Sequence, residues 1–369
     1  MKRFFQPIQK DGSCKKPNLS DSVNDGEKKE TPAAADDNHN KGEPTKFVTW
    51  NANSFLLRVK NDWPEFTKFI ETLDPDVICI QEVRMPAAGT KKGSKNQGEI
   101  KDDSNSSREE KQIMMRALSN PPFRNYNVWW SLSDSKYAGT AMLIKKCFSP
   151  IKVSFSLDLK GSKHEMDGRV ILADFGTFRL LNTYSPNNGW KDEENAFQRR
   201  RKWDKRMIEF VSLVSDKPLI WCGDLNVSHE DIDVSHPEFF SSAMLNGYVP
   251  PNKEDCGQPG FTLSERKRFG SLLKEGKLID AYRYLHKEKD MDCGFSWSGN
   301  PIGKYRAKRM RIDYFTVSEK LKDRIVSCEM HGQGVDLKGF YGSDHCPVSL
   351  ELSQIKPEPA SEEAKFLEN

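Results

Sequence analysis

The chain has 369 residues, a net charge of only +3 and a mean hydropathy of −0.73, with 30% of its residues charged. These values suit a soluble protein. They exclude a membrane span, which needs roughly 18–20 apolar residues in a row, and they leave any affinity for nucleic acid to local clusters. The eight cysteines form no C-x-x-C pair and no metal-finger spacing, which points to reduced thiols in an intracellular compartment.

From Met1 to about Lys46 the chain is rich in Lys, Asp, Glu, Asn, Pro and Ser, a composition that predicts disorder. Its acidic residues Asp11, Asp21, Asp25, Glu27 and Glu30 argue against an organelle transit peptide. The opening "MKRFFQPI" stands apart, because Phe4 and Phe5 beside basic residues resemble part of a motif that docks partners on sliding clamps. One domain is expected over 47–352, with a flexible tail over 353–369. The charged, Gly- and Ser-rich stretch "AAGTKKGSKNQGEIKDDSNSSREE", Ala87 to Glu110, reads as a long surface loop within it.

Apolar runs of strand length recur through this domain: "KFVTW", "DVICI", "GTAMLI", "RVILADF", "FRLLNTY", "PLIWC", "RIDYFTV" and "CPVSLEL". Between some of them lie the helical patterns "WPEFTKFIETL" and "ENAFQRRRKWDKRMIEFVSLV". The second sets Phe197, Met207, Phe210, Val211 and Val214 opposite a basic face. Strands alternating with helices and hairpins predict a layered α/β or α+β sandwich.

Six of these runs, or the turns beside them, carry polar residues of one chemical kind: Asn51 and Asn53, Gln81 and Glu82, Tyr184 to Asn187, Asp224 and Asn226, Asp313, and Asp344 with His345. Each alone suits a turn or a cap. Together they suit a site, because layered α/β folds gather ligands outside strand ends. Oxygen donors without cysteine favour a hard cation, and Mg²⁺ is the default. Glu82 leads as a ligand, with Asn51, Asp344 and Asn53 around it. Asp224 suits an attacking water and Asn226 a phosphorane-like transition state. His345 with Asp313 suits an imidazolium beside a phosphate, and Tyr184 offers a phenol. Neither a G-x-S-x-G nor a Walker loop occurs. The basic stretches "RRRKWDKR" and "GKYRAKRMRID" suit a polyanion, the second more so, because Lys304, Arg306, Lys308, Arg309 and Arg311 lead up to Asp313.

The ordered series "WNANSF", "QEVR", "NTYSPN", "GDLNVSHEDID", "PGFTLSER", "GFSW", "RIDYF" and "GSDHCPV" resembles the exonuclease III-type apurinic/apyrimidinic endonucleases, and most closely their plant branch. The resemblance covers 47–352. It implies an α/β four-layered sandwich of two mixed β-sheets flanked by helices. It also implies metal-dependent incision 5′ to an abasic site and removal of blocked 3′ ends from double-stranded DNA in base excision repair, with Mg²⁺ as cofactor and Mn²⁺ able to substitute. On this resemblance Tyr184, Asp224, Asn226, Asp313 and His345 are catalytic. Asn51, Glu82, Asp224, Asn226, Asp344 and His345 are candidate metal ligands. Asn187, Trp190, Arg84, Phe295, Trp297, Met310, Arg309 and Arg311 face the substrate, with Phe295 and Trp297 walling the sugar pocket. Other repair enzymes are implied partners and the nucleus the implied location, with Lys15 and Lys16 as weak support.

Three positions depart from animal members of that family. Met310 stands where they carry Trp, Trp190 where they carry Arg, and Asn53 where they carry Asp. Met is softer and more flexible than an indole, so a looser pocket is expected, favouring 3′-end trimming over abasic-site incision. Two rival readings remain at this stage: a phosphoesterase of the same fold acting on inositol phosphates, lipids or RNA tails, and a DNA-binding scaffold without catalysis. The first gives no account of "GFSW" or "PGFTLSER", and the second none of the full catalytic set.

Overall fold

In the computed structural model, the described residues are 42–89, 95–157, 159, 167–187, 193–214, 216–243, 250–333 and 336–354. The N-terminal stretch to residue 41 with its Phe pair, Trp190 and the tail from 355 lie outside them. Among the described residues no helix is long and apolar enough to cross a membrane.

All eight expected strands are present, and they occupy the interiors of two six-stranded mixed sheets. In spatial order the first sheet runs Ile325–Met330, Val348–Leu352, Lys46–Asn51, Val77–Gln81, Thr140–Lys145 and Tyr126–Ser131. The second runs Leu278–Asp280, Asp313–Ser318, Leu219–Asp224, Arg179–Tyr184, Val170–Asp174 and Lys152–Ser154. Each has one parallel pair at its centre, Lys46–Asn51 with Val77–Gln81 and Leu219–Asp224 with Arg179–Tyr184, bordered by antiparallel neighbours.

The apolar runs are continuous because these strands are buried on both faces. Successive side chains alternate, so Phe47, Val77, Cys79, Ile220 and Cys222 fill the space between the sheets. Val48, Trp50, Ile78 and Ile80 face the layer of Phe55–Asn61, Trp63–Leu73 and Asn105–Leu118. Leu219 and Trp221 face Glu193–Leu213 and Leu263–Glu275, where Phe210, Val211, Phe269 and Leu272 meet them. Helix, sheet, sheet and helix make four layers.

The expected loop over 87–110 is a correction. Ala87–Gly89 pairs with Lys95–Ile100, and the helix Asn105–Leu118 begins inside the segment. Its serines form a cap: Ser104 Oγ accepts from Ser107 N at 3.1 Å, satisfying a helix-start donor that polar sequence alone makes look like loop. Ile100, Met114 and Leu118 anchor the segment in the core.

A half-buried histidine contributes to the pH dependence of the fold. His331 packs edge-on against Phe69 with ring centroids 4.9 Å apart, its Nε2 is 2.8 Å from Ser349 Oγ, and burial pushes its imidazole down to about 4. The unfolded chain binds this proton near pH 6.5. The folded value is depressed, so the contribution to stability is complete above pH ~6.5 and is lost as pH falls towards 4. The expected loss is about 3 kcal/mol over that window. Urea unfolding of wild type and His331→Gln at pH 7, 5.5 and 4.5 checks this, with a flatter profile for the variant as the expected result.

Candidate active site

The two parallel strand pairs end at the same edge of the sandwich. Asn51 lies opposite Gln81 in the first sheet, and Asp224 lies opposite both Tyr184 and Asp313 in the second. Just before Asp224 the chain needs a residue without a side chain. Gly223 has φ +130, and a Cβ there would stand 1.9 Å from the Thr183 carbonyl oxygen. The backbone then turns through left-handed conformations at residues that are not glycine: Asn53 (φ 43), Glu82 (φ 52) and Asn226 (φ 49). Such conformations persist only where surroundings enforce them, and they gather at functional sites. Asp224 enforces the last, since its Oδ1 accepts from Asn226 N at 2.9 Å.

A hydrogen-bonded net joins these ends. Asn51 Nδ2 donates to Glu82 Oε1 at 3.1 Å and to Asp224 Oδ2 at 2.8 Å. The Tyr184 phenol donates to Glu82 Oε1 at 3.0 Å, and Arg84 Nε donates to Glu82 Oε2 at 2.6 Å. Asn226 Nδ2 donates to Ser185 O at 2.9 Å, and its Oδ1 accepts from Asn187 Nδ2 at 2.9 Å. Asp344 accepts from Asn53 Nδ2 at 2.8 Å and from the Trp297 indole at 3.1 Å. His345 Nδ1 pairs with Asp313 Oδ2 at 2.7 Å, and Trp50 Nε1 donates to the His345 carbonyl at 3.0 Å.

The electrostatics are those of a site built for charge. Burial, reinforced by the Asp313 carboxylate, pushes the Asp224 carboxyl up to about 7. At His345 burial opposes the proton, but the Asp313 carboxylate outweighs it and lifts the imidazole to about 10. The ring is therefore an imidazolium at neutral pH, with Asp313 fixing its orientation. Burial and the Glu82 carboxylate hold the Tyr184 phenol well above its ordinary value, so it stays a donor.

Asp224, Asp313 and His345 bring ligand atoms within 4.8 Å of one another. Asp313 Oδ1 is buried and has no hydrogen-bond partner. Crowded carboxylates and an orphaned carboxylate oxygen fit a divalent cation. Asp313 is thus a member of the cluster that could hold a cation, a place the sequence did not give it. Asn51 spends its amide donors on Glu82 and Asp224, whereas Asn226 gives one proton to Ser185 O and holds the other on a longer 3.2 Å bond to Asp224 Oδ2.

The cleft is lined by Glu82, Tyr184, Asn187, Asp224, Asn226, Asp344 and His345 on its polar side. Trp297, Met310, Ile312 and the turn Gln258–Gly260 form the other wall. Ile312 and Gln258–Gly260 were missed in the sequence. Ile312 lies two residues after Met310, so strand alternation signals it, and "QPG" is a turn signal.

Three expected substrate contacts are corrected. Arg311 is 1% exposed, with Nε and Nη2 on Asp233 Oδ1 at 2.9 and 2.8 Å and Nη2 on Asp280 Oδ2 at 2.6 Å. It is an internal ion-pair residue. Arg309 is buried with its guanidinium over the Phe295 ring, 5.1 Å from the centroid. Phe295 lies beneath that guanidinium, outside the cleft lining. The surface cations of the basic stretch are Lys304 and Arg306, while Arg199, Lys202 and Lys205 are exposed on the helix Glu193–Leu213.

The sequence matches the endonuclease/exonuclease/phosphatase family over residues 48–345. It is 71% identical to a DNA-(apurinic or apyrimidinic site) endonuclease of Arabidopsis thaliana over 98% of each chain. The fold matches an AP endonuclease from Leishmania major with a TM-score of 0.61 at 22% identity, covering 85% of this chain and 88% of that one. It also matches a 3′ phosphatase from Neisseria solved with a product DNA hairpin, with a TM-score of 0.58 at 22% identity, covering 84% and 99%.

Proposed function

The chain belongs to the endonuclease/exonuclease/phosphatase family, and we infer from its site that it is a DNA base excision repair hydrolase. It cuts the phosphodiester 5′ to an abasic site, leaving a 3′-hydroxyl and a 5′-deoxyribose phosphate, and removes blocking groups from 3′ ends. The observation that carries this reading is the convergence of Tyr184, Asp224, Asn226 and the Asp313–His345 pair beside a cleft with an apolar wall.

Glu82, Asp344, Asp224 and Asp313, through its unpartnered Oδ1, are the residues that would hold a Mg²⁺ ion, with Mn²⁺ able to replace it. When bound, the cation polarises the phosphoryl oxygen and neutralises developing charge. Asp224 orients the attacking water and takes its proton. Asn226 donates an amide proton to the phosphoryl oxygen, with Asn187 steadying that amide. The His345 imidazolium contacts the phosphate, and Tyr184 supplies a second neutral donor. Arg84 steadies Glu82.

The apolar wall accounts for the lesion. An abasic nucleotide has no base to unstack, so swinging it out avoids most of the few kcal/mol that extrusion normally costs. Trp297, Met310 and Ile312 then admit a bare sugar and exclude an intact nucleotide. Met310, flexible where an indole would be rigid, makes that wall adjustable and favours 3′-end trimming. Lys304 and Arg306 approach the flanking phosphates. A nuclear location, docking on a sliding clamp through "MKRFF" and contact with other repair enzymes belong to the same reading.

Duplex carrying a synthetic abasic site, with Mg²⁺ or with chelator, tests this. Metal-dependent nicking 5′ to the site is expected, together with a steep fall of binding with salt. Tight binding without nicking supports a scaffold instead. In the same assay Met310→Trp shifts the ratio of incision to 3′-trimming towards incision; an unchanged ratio sinks the role given to Met310.

A further inference from the structure

Behind the cleft lies a buried guanidinium that none of these roles uses. Arg200, on the helix Glu193–Leu213, is 3% exposed. Its Nη1 donates to the carbonyl oxygens of Pro186 and Asn226 at 3.0 and 3.1 Å, and its Nη2 donates to that of Leu225 at 2.9 Å. Those carbonyls belong to the two segments that carry Asn187 and Asn226. Asp204 Oδ1 holds the fork in place from Arg200 Nε at 2.8 Å, and Asp204 Oδ2 accepts from Arg268 Nε at 2.7 Å. From the same helix Trp203 Nε1 donates to Ser185 Oγ at 3.0 Å.

Third in this arrangement is the cleft turn at Gly260. Buried Glu265, which feels the Arg200 charge, accepts from Gly260 N at 2.9 Å and from the Thr262 hydroxyl at 2.6 Å. Buried Arg200, Asp204 and Glu265, with the half-buried Arg268 at their edge, therefore back three of the segments that line the cleft.

Burying a guanidinium is costly, and an apolar side chain of similar volume would often serve stability as well or better. What only the guanidinium supplies is a rigid planar fork of five donors, able to span three carbonyls and a carboxylate at once. The span matters because Asn226 is left-handed at φ 49 and must be held there from outside. Its carbonyl is one of the oxygens that Arg200 grips.

We propose that Arg200 is a positioning residue for phosphodiester hydrolysis, setting the spacing of the Ser185–Asn187 and Leu225–Asn226 segments so that the Asn226 amide, braced by Asn187, meets the scissile phosphate. The proposal rests on the reading of Asn226 as a transition-state donor. Arg200 touches no substrate and acts through these backbones.

The test uses the full chain, abasic-site duplex and Mg²⁺. Arg200→Met lowers kcat about 100-fold, the scale of an ångström-sized misplacement, with KM changed less than about threefold. Arg200→Lys, which keeps the charge and one reach to a carbonyl, recovers part of the loss. The deciding measurement is the double-mutant cycle with Asn226→Ala. With the positioned amide gone, Arg200→Met costs less than about threefold. Unchanged kcat in Arg200→Met, or losses that multiply independently in the double variant, overturn the positioning role while leaving Asn226 in place. Unchanged kcat in Asn226→Ala alone overturns the Asn226 assignment and this proposal with it. Should Arg200→Met fail to fold, the cycle is run with Arg200→Lys and read the same way.

Discussion

Asp224→Asn lowers kcat for abasic-site incision by about 10³-fold, leaves KM within a few-fold and leaves the circular-dichroism spectrum unchanged. The substitution keeps the volume, removes the charge and the proton acceptor, and sets an amide N–H against the Asn51 amide that Oδ2 accepts from. The backbone turn survives because the side-chain oxygen still accepts from Asn226 N. Stability responds with the opposite sense. The Asp224 carboxyl is lifted to about 7 by burial and by Asp313, against ~3.9 in the unfolded chain. A raised folded value means stability is fully present below pH ~4 and is lost as pH rises to 7, by roughly 4 kcal/mol in the absence of metal. Relative to the variant, wild type therefore weakens across that window. Added Mg²⁺ reverses the trend in wild type and much less in the variant. Thermal unfolding with chelator at pH 4.5, 6 and 7.5, then with Mg²⁺, measures it. Parallel profiles for the two proteins would refute the charge crowding from which the role of Asp224 follows.

Arg311→Met destabilises the protein by about 3 kcal/mol, the cost of breaking a buried ion pair from one side. The side chain is 1% exposed and serves two carboxylates, Asp233 and Asp280. Burial works against the Asp233 charge, and the Arg311 and Arg283 guanidinium groups hold its carboxyl below the ordinary range despite it. Without Arg311, Asp280 loses this partner while Arg283 still reaches Asp233 Oδ1 at 2.7 Å. A fall in melting temperature of roughly 5 °C is expected. The salt dependence of DNA binding should not change, because Arg311 reaches no phosphate. Lys304→Ala and Arg306→Ala should behave in the opposite way, each flattening the salt slope by nearly one unit at unchanged stability. A flattened slope in Arg311→Met with stability intact would return this residue to the DNA surface.

The contrast between these two residues explains what the sequence reveals. The eight strands legible as apolar runs are the inner ones, buried on both faces, so every position is selected for the core. Missed are the short pairs Ala87–Gly89 with Lys95–Ile100 and Trp297–Ser298 with Arg309–Met310 and, in the two large sheets, the edge strands Tyr126–Ser131, Lys152–Ser154, Leu278–Asp280 and Ile325–Met330. Solvent on one side breaks their pattern, and Ile325–Met330 alternates between buried and open positions. Asp224 and Asn226 were legible because a core strand that ends in a carboxylate has no packing reason to do so. Arg311 was not. A run of cations looks like surface until Asp233 and Asp280, 78 and 31 residues distant in sequence, are brought beside it. Phe295 failed for the same cause, since only the folded chain lays a guanidinium across it. The helix at Asn105 failed through composition, its capping serines being the residues that also mark loops.

Tyr184, Asp224 and Asp313 occupy one rung of the second sheet, side by side on three neighbouring strands. Their spacing is thus inherited from backbone hydrogen bonding, which a point substitution elsewhere hardly disturbs. The apolar wall is made differently, from a two-residue strand pair at Trp297 and Met310 and from the turn Gln258–Gly260. Within one lineage the reaction can therefore stay constant while the accepted lesion drifts. On the proposed reading of the wall, reworking a short hairpin changes which kind of DNA damage is accepted without rebuilding the hydrolytic centre.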